Sequence, residues 1–225
     1  MADVVLIHGL GDNMYTMANF AESMEPSLTT WAADLLGHGE RPLPDLLDIA
    51  AASEDLLSCL ERSGLERPFL FGYSFGGQIG LYIARHHPDR VRGVCAFGTA
   101  TAQNEWNLNF ALSHYDPDRP RKHPLQGGEK ELFRRIHLAF SESRSKPPQL
   151  SEDDMRQVQV PVLVLAGDSD PVVQVADPIR LHSLLPNARL MIYPGSAHPE
   201  RVVPHSLVAQ ELLRFVNDVE AGRPL

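Results

Sequence analysis

Short apolar runs alternate along this chain with longer stretches in which apolar residues recur every three or four positions. The runs lie at Val4-Val5-Leu6-Ile7 and at residues 28–33, 68–73, 91–97, 160–166 and 189–193, and their length predicts buried strands. Helical periodicity covers residues 14–23, 45–63, 76–86, 176–185 and 201–219. In the second of these, Asp45-Leu46-Leu47-Asp48-Ile49-Ala50 through Leu56, Leu57, Cys59 and Leu60 places apolar positions at i, i+3, i+4 and i+7. Strands that are apolar throughout, each followed by a helix, argue for a mostly or wholly parallel sheet covered by helices on both faces.

The rhythm breaks between residues 100 and 157. Residues 116–124 and 145–148 are rich in proline and read as loops. Between them residues 131–140 read as a helix with Leu132, Phe133, Ile136 and Phe140 on one side. Trp106 and Phe110 share a face of a second short helix. The expectation is a small helical cap, residues 100–157, inserted over the carboxyl edge of the sheet within one domain spanning residues 1–225.

The chemistry begins at Gly72-Tyr73-Ser74-Phe75-Gly76, squeezed between an apolar run and a helical stretch. A serine in G-x-S-x-G at a strand-to-helix turn is a nucleophile elbow: glycines keep the turn tight, and the hydroxyl is pushed above the sheet edge. A serine hydroxyl needs a base, and the base needs an acid to hold its tautomer. Two later strand ends supply candidates: Gly167-Asp168-Ser169-Asp170-Pro171 and Gly195-Ser196-Ala197-His198. Asp168 and Asp170 compete for the acid position. Asp170 is favoured because the following proline keeps it extended, and Asp168 is then expected to be a turn residue bonding its own backbone. His182 and His205 fall inside helical patterns and lack the strand-end position of His198.

Composition narrows the partners. The net charge of -9 repels phosphate backbones and anionic lipid surfaces, so neither nucleic acid nor membrane is expected as a partner. No apolar stretch approaches the ~18 residues of a membrane span, and the start of the sequence lacks a signal-peptide pattern, so a cytoplasmic location is expected. Cys59 and Cys95 have no motif spacing and read as buried free thiols. The histidines at 114, 123 and 137 show no ligand spacing, and no metal or organic cofactor is expected.

Five segments together carry a family resemblance: His8-Gly9-Leu10-Gly11, Asp34-Leu35-Leu36-Gly37-His38-Gly39, Gly72 to Gly77, Gly167 to Pro171, and Gly195 to His198. In this order the chain resembles the α/β-hydrolase-fold enzymes. The resemblance implies Ser74 as nucleophile, Asp170 as orienting acid and His198 as base. It also implies an oxyanion hole made of the backbone N–H groups of Leu10 and Phe75. The family's first two strands have no counterpart before residue 4, which implies six strands with residues 28–33 on an edge; a monomer, or a homodimer through that edge or the cap, is expected. His38 and Asp34 are expected to hydrogen-bond their own loop. Trp106, Phe110, Phe133 and Phe140 are expected to form the packing face of the cap, leaving one or two rings, with Tyr73, to line an apolar acyl pocket. The implied activity is hydrolysis of a small-molecule carboxylic ester, lactone or thioester. C–C bond hydrolysis, lyase chemistry, or ligand reception with little turnover are the alternatives on the same scaffold.

Overall fold

The computed structural model of the protein describes residues 2–45, 47–100, 138, 150–198 and 203–225. In chain order these form β1 (Asp3–Ile7), α1 (Ala18–Met24), β2 (Thr29–Ala32), α2 (Ile49–Arg62), β3 (Phe69–Tyr73) and α3 (Phe75–His86). There follow β4 (Gly93–Phe97), α4 (Glu152–Arg156), β5 (Val162–Gly167), α5 (Ala176–Leu184), β6 (Ala188–Tyr193) and α6 (His205–Glu220). The six strands form one sheet in the order β2-β1-β3-β4-β5-β6, and every neighbouring pair is parallel. β2 lies on an edge, as the sequence implies.

Side chains alternate across each strand and feed two cores. On one face Val5, Ile7, Leu70, Val94, Ala96, Val162 and Val164 pack with Leu56, Leu57 and Leu60 of α2, Ile79, Leu81 and Ile83 of α3, and Leu181 of α5. On the other, Val4, Leu6, Phe69, Phe71, Phe97, Leu163 and Leu165 pack with Phe20 of α1 and Val208, Leu212 and Phe215 of α6. Each fully buried Leu or Phe contributes roughly 1.5–3 kcal/mol relative to exposure, so both faces hold the sheet rigid beneath its loops.

Local signals set the helix ends. Asp48 caps α2 by accepting the Ala51 N–H at 2.8 Å. α4, which periodicity does not predict, is a single short helix opened by a reciprocal capping box between Ser151 and Asp154. The Ser-x-x-Asp spacing was its only sequence signal, because five residues are too few to show a period. The remaining helices and strands lie within a few residues of their predicted ranges, as ragged ends normally do.

The chain runs from β1 outward to β2, then returns past β1 to β3, so the order reverses between β1 and β3. In parallel sheets ligands bind beyond the carboxyl ends of strands at such a reversal. Ser74 follows β3 there, and His8 follows β1. Of the expected cap, residues 100–157, residues 101–137 and 139–149 lie outside the described residues, whereas Leu150 and Met155 near its end are buried in the core with Ile79 and Leu181, so that stretch belongs to the main body. Leu138, within the second expected cap helix, is helical and half exposed.

Candidate active site

Ser74 holds a backbone conformation that L-residues avoid. Its φ is 53° and ψ -113°, a positive φ shared by no other non-glycine among the described residues. Neighbouring groups hold it there. The Ser74 N–H donates to Phe97 O at the end of β4 at 2.8 Å, and Ser74 O accepts from the Gly77 N–H at 3.0 Å. The buried Thr99 hydroxyl lies 3.2 Å from Ser74 O. Glycines make the turn possible by close approach. A Cβ on Gly72 would lie 2.2 Å from Gly76 O, and one on Gly76 would lie 2.3 Å from Ile7 O. Strain surrounded by fixed backbone partners is a common mark of a functional turn.

Two loops bring an acid and a base to this serine. His198 Nε2 lies 3.1 Å from Ser74 Oγ, and His198 Nδ1 lies 2.8 Å from Asp170 Oδ2. The other Asp170 oxygen accepts the N–H groups of Val172 and Val173, each at 2.8 Å, which leaves Oδ2 for the imidazole. Asp170 is buried, and its side chain is 2% exposed against 17% for His198. The loops are also tied to one another. Ser169 N–H donates to Ser196 O at 3.0 Å, and Asp168 Oδ1 accepts the Gly195 N–H at 2.7 Å. Nearby, Asp177 at the start of α5 has its carboxyl pushed up by burial and then by the charge of Asp170.

The loop after β1 completes the arrangement. A Cβ on Gly9 would lie 3.6 Å from Ser74 Cβ, so this loop runs directly beside the serine. Phe75 is the first residue of α3, whose N-terminus favours negative charge. His8 and His38 are fully buried, with ring centroids 5.0 Å apart. Burial pushes the His8 imidazole down to about 3, helped by the charge His38 would carry. Burial likewise pushes His38 down to about 4. Both rings are therefore neutral at pH 7.

The structure brings Ser74, Asp170, His198, Phe75 and the loop of Leu10 together, as the sequence order implies. Asp168 differs from expectation. Its carboxylate reaches the histidine loop across sequence rather than bonding its own turn backbone, apart from the adjacent Ser169 hydroxyl at 2.9 Å. Turn chemistry alone could not reveal a partner 27 residues away. Tyr73 is buried, with its ring 5.3 Å from that of His198, so it packs against the histidine. Trp106, Phe110 and Phe133 lie outside the described residues. Asp34 accepts the Met14 N–H at 2.7 Å and His38 accepts the Gly11 N–H at 3.0 Å, so they tie their loop to its neighbour. Cys95 is buried, but Cys59 is partly exposed beside Arg62, because α2 turns that position toward its polar face. Among the described residues no cluster of His, Cys, Asp and Glu is arranged to hold a metal ion.

Residues 4–125 match the alpha/beta hydrolase fold family. The chain belongs to that family. A pimeloyl-[acyl-carrier protein] methyl ester esterase of Neisseria meningitidis serogroup A is 32% identical over 257 aligned positions, covering 99% of this chain and 80% of its own. A 2-hydroxymuconate semialdehyde hydrolase of Pseudomonas putida is 26% identical, covering 96% of this chain and 88% of its own. Among solved structures, a thermophilic esterase from Thermogutta terrifontis aligns with a TM-score of 0.78 at 19% identity, over 97% of this chain and 90% of its own. A meta-cleavage product hydrolase from Pseudomonas fluorescens aligns with a TM-score of 0.76 at 21% identity, over 97% of this chain and 91% of its own. At these identities the structural likeness is one of fold, and this alpha/beta hydrolase shares the fold of both.

Proposed function

We propose that this alpha/beta hydrolase is a serine hydrolase that cleaves carboxylic esters of small to medium acyl size through an acyl-enzyme. The observation that carries the reading is the continuous line from Asp170 Oδ2 through His198 to Ser74 Oγ, at 2.8 and 3.1 Å, on a serine held at φ 53°. In this reading Ser74 Oγ attacks the carbonyl carbon while His198 Nε2 takes its proton. Asp170 keeps the proton of the resting ring on Nδ1 and stabilises the imidazolium that forms. The N–H groups of Leu10 and Phe75 receive the developing oxyanion, each worth ~3 kcal/mol of barrier. His198 then protonates the departing alkoxide. Water, deprotonated by the same nitrogen, releases the acid and restores Ser74. The esterase relative supports ester chemistry for this chain.

A second reading has support from the semialdehyde hydrolase relative: the same three residues cleaving a C–C bond of a dienone. The two separate by substrate. A panel of p-nitrophenyl esters of graded acyl length is run beside a 2-hydroxy-6-oxo-dienoate, on wild type and Ser74→Ala. The proposal expects ester turnover highest at short to medium acyl chains and lost in the variant. Turnover of the dienoate with inert esters would move the assignment to the second reading. A preference for long-chain acyl groups would overturn the size assignment.

A further inference from the structure

Resting on the serine-hydrolase reading, we infer that His8 and His38 are positioning residues for the oxyanion hole: together they fix the Gly9–Leu10 peptide so that the Leu10 N–H is turned toward Ser74. The two rings come from different loops, and each reaches a backbone N–H of the other loop. The Leu35 N–H donates to His8 Nε2 at 3.1 Å, and the Gly11 N–H donates to His38 Nε2 at 3.0 Å. A ring nitrogen that accepts a hydrogen bond carries no proton, so in each neutral ring the proton lies on Nδ1. That proton is also used. His8 Nδ1–H donates to Gly9 O at 2.8 Å, and His38 Nδ1–H donates to Leu36 O at 2.9 Å.

The consequence follows from peptide planarity. In a trans peptide the C=O and the next residue's N–H point in opposite directions. Gly9 O is held by His8 and by the Asp12 N–H at 3.2 Å, so the Leu10 N–H is aimed to the opposite side. The next N–H along, that of Gly11, is held by His38. The chain is thus fixed immediately before and after Leu10, beside Ser74. Turning the Gly9–Leu10 peptide over would strip its carbonyl of both donors in a buried place. An oxyanion hole works because its donors need no reorganisation during reaction, and these two rings supply that rigidity.

The arrangement requires both rings neutral. A proton on either Nε2 would set a donor against a backbone N–H. The carboxylate facing the pair is Asp34, with Oδ1 4.0 Å from His8 Nε2, and that oxygen already accepts the Met14 N–H. Burial keeps both rings neutral at pH 7.

The test compares His8→Asn with His8→Leu. The Asn amide can stand near the place of Nδ1 and donate to Gly9 O, whereas Leu cannot; neither reaches Leu35. Turnover of p-nitrophenyl acetate is normalised to the serine titrated by a fluorophosphonate. H8L is expected to lower kcat by about 10- to 10³-fold with KM changed by less than about threefold, and H8N to recover most of the loss. Equal kcat per titrated serine in H8N and H8L, or H8L equal to wild type, would overturn the proposal. A measurement on the wild type stands beside it should H8L not fold. Imidazole ¹⁵N spectra at pH 7 are expected to show His8 and His38 both protonated on Nδ1, before and after the phosphonate adduct forms. Either ring as the other tautomer or as imidazolium overturns the pair's role. Wild type that neither turns over the ester nor takes the label defeats the functional reading itself, and the positioning role with it; wild-type turnover with unaffected variants defeats the positioning role alone.

Discussion

Two aspartates two residues apart divide the work at the strand end after β5. Asp170 uses one oxygen on two backbone N–H groups and the other on His198, whereas Asp168 uses its carboxylate to hold Gly195. Their substitutions should therefore separate. Asp170→Asn is expected to lower kcat by ~10³–10⁴-fold with little loss of fold, because it presents the wrong partner to His198 Nδ1. Asp168→Ala is expected to lower kcat less than about tenfold and to cost ~0.5–1.5 kcal/mol of stability, because it frees one exposed loop N–H. Steady-state kinetics with a urea titration on both variants checks this; a kcat loss in D168A as large as that in D170N would reverse the assignment. That Asp170 and not Asp168 meets the His198 ring was expected from the family spacing and from the proline after Asp170. The bond from Asp168 to Gly195 was not, because it depends on how close two loops lie and not on either loop's own sequence.

At the scale of elements, the strand–turn–helix from β3 to α3 was readable almost residue by residue, because glycine spacing records where backbone meets backbone. Gly76 faces the carbonyls of Ile7, the last residue of β1, and of His8 just beyond it, at 2.3 and 2.7 Å from where a Cβ would sit. Neither can move without breaking β1 from β3. Gly76→Ala is thus expected to cost more than ~3 kcal/mol, and to lower Tm by roughly 10 °C or abolish soluble expression. Thermal unfolding checks it, and a Tm within ~3 °C of wild type would show that helix α3 has freedom the structure does not display. By contrast the loops after β1 and β2 carried little signal about each other. His8 and His38 were visible as residues of two loop motifs. Their exchange of hydrogen bonds depends on β1 and β2 lying side by side, which single-sequence periodicity does not specify.

For the whole molecule, the buried neutral histidines link stability to pH. In the unfolded chain each titrates near the ordinary 6.5, whereas folding lowers His8 to about 3 and His38 to about 4. Below 6.5 the unfolded state therefore binds more protons than the folded state, and stability falls as pH falls. Between pH 6.5 and 5 each ring contributes a loss of up to roughly 2 kcal/mol, with His86, lowered by its partial burial, acting in the same direction. Urea midpoints at pH 7 and pH 5 should show that drop, and a His38→Gln variant should show a shallower one. An unchanged midpoint would mean the two rings take up protons in the folded protein as readily as in the unfolded chain. The layered fold itself was legible, since six apolar runs with helices between them admit few arrangements. Which side chains line an acyl pocket was not, because pocket shape depends on side-chain placement that periodicity does not fix. Mass spectrometry of the protein after reaction with a fluorophosphonate decides whether Ser74 is the nucleophile of a serine hydrolase. One adduct per chain is expected, on the peptide carrying Ser74, with ester turnover lost in proportion to labelling. A label on another residue, or turnover that survives full labelling of Ser74, would contradict it.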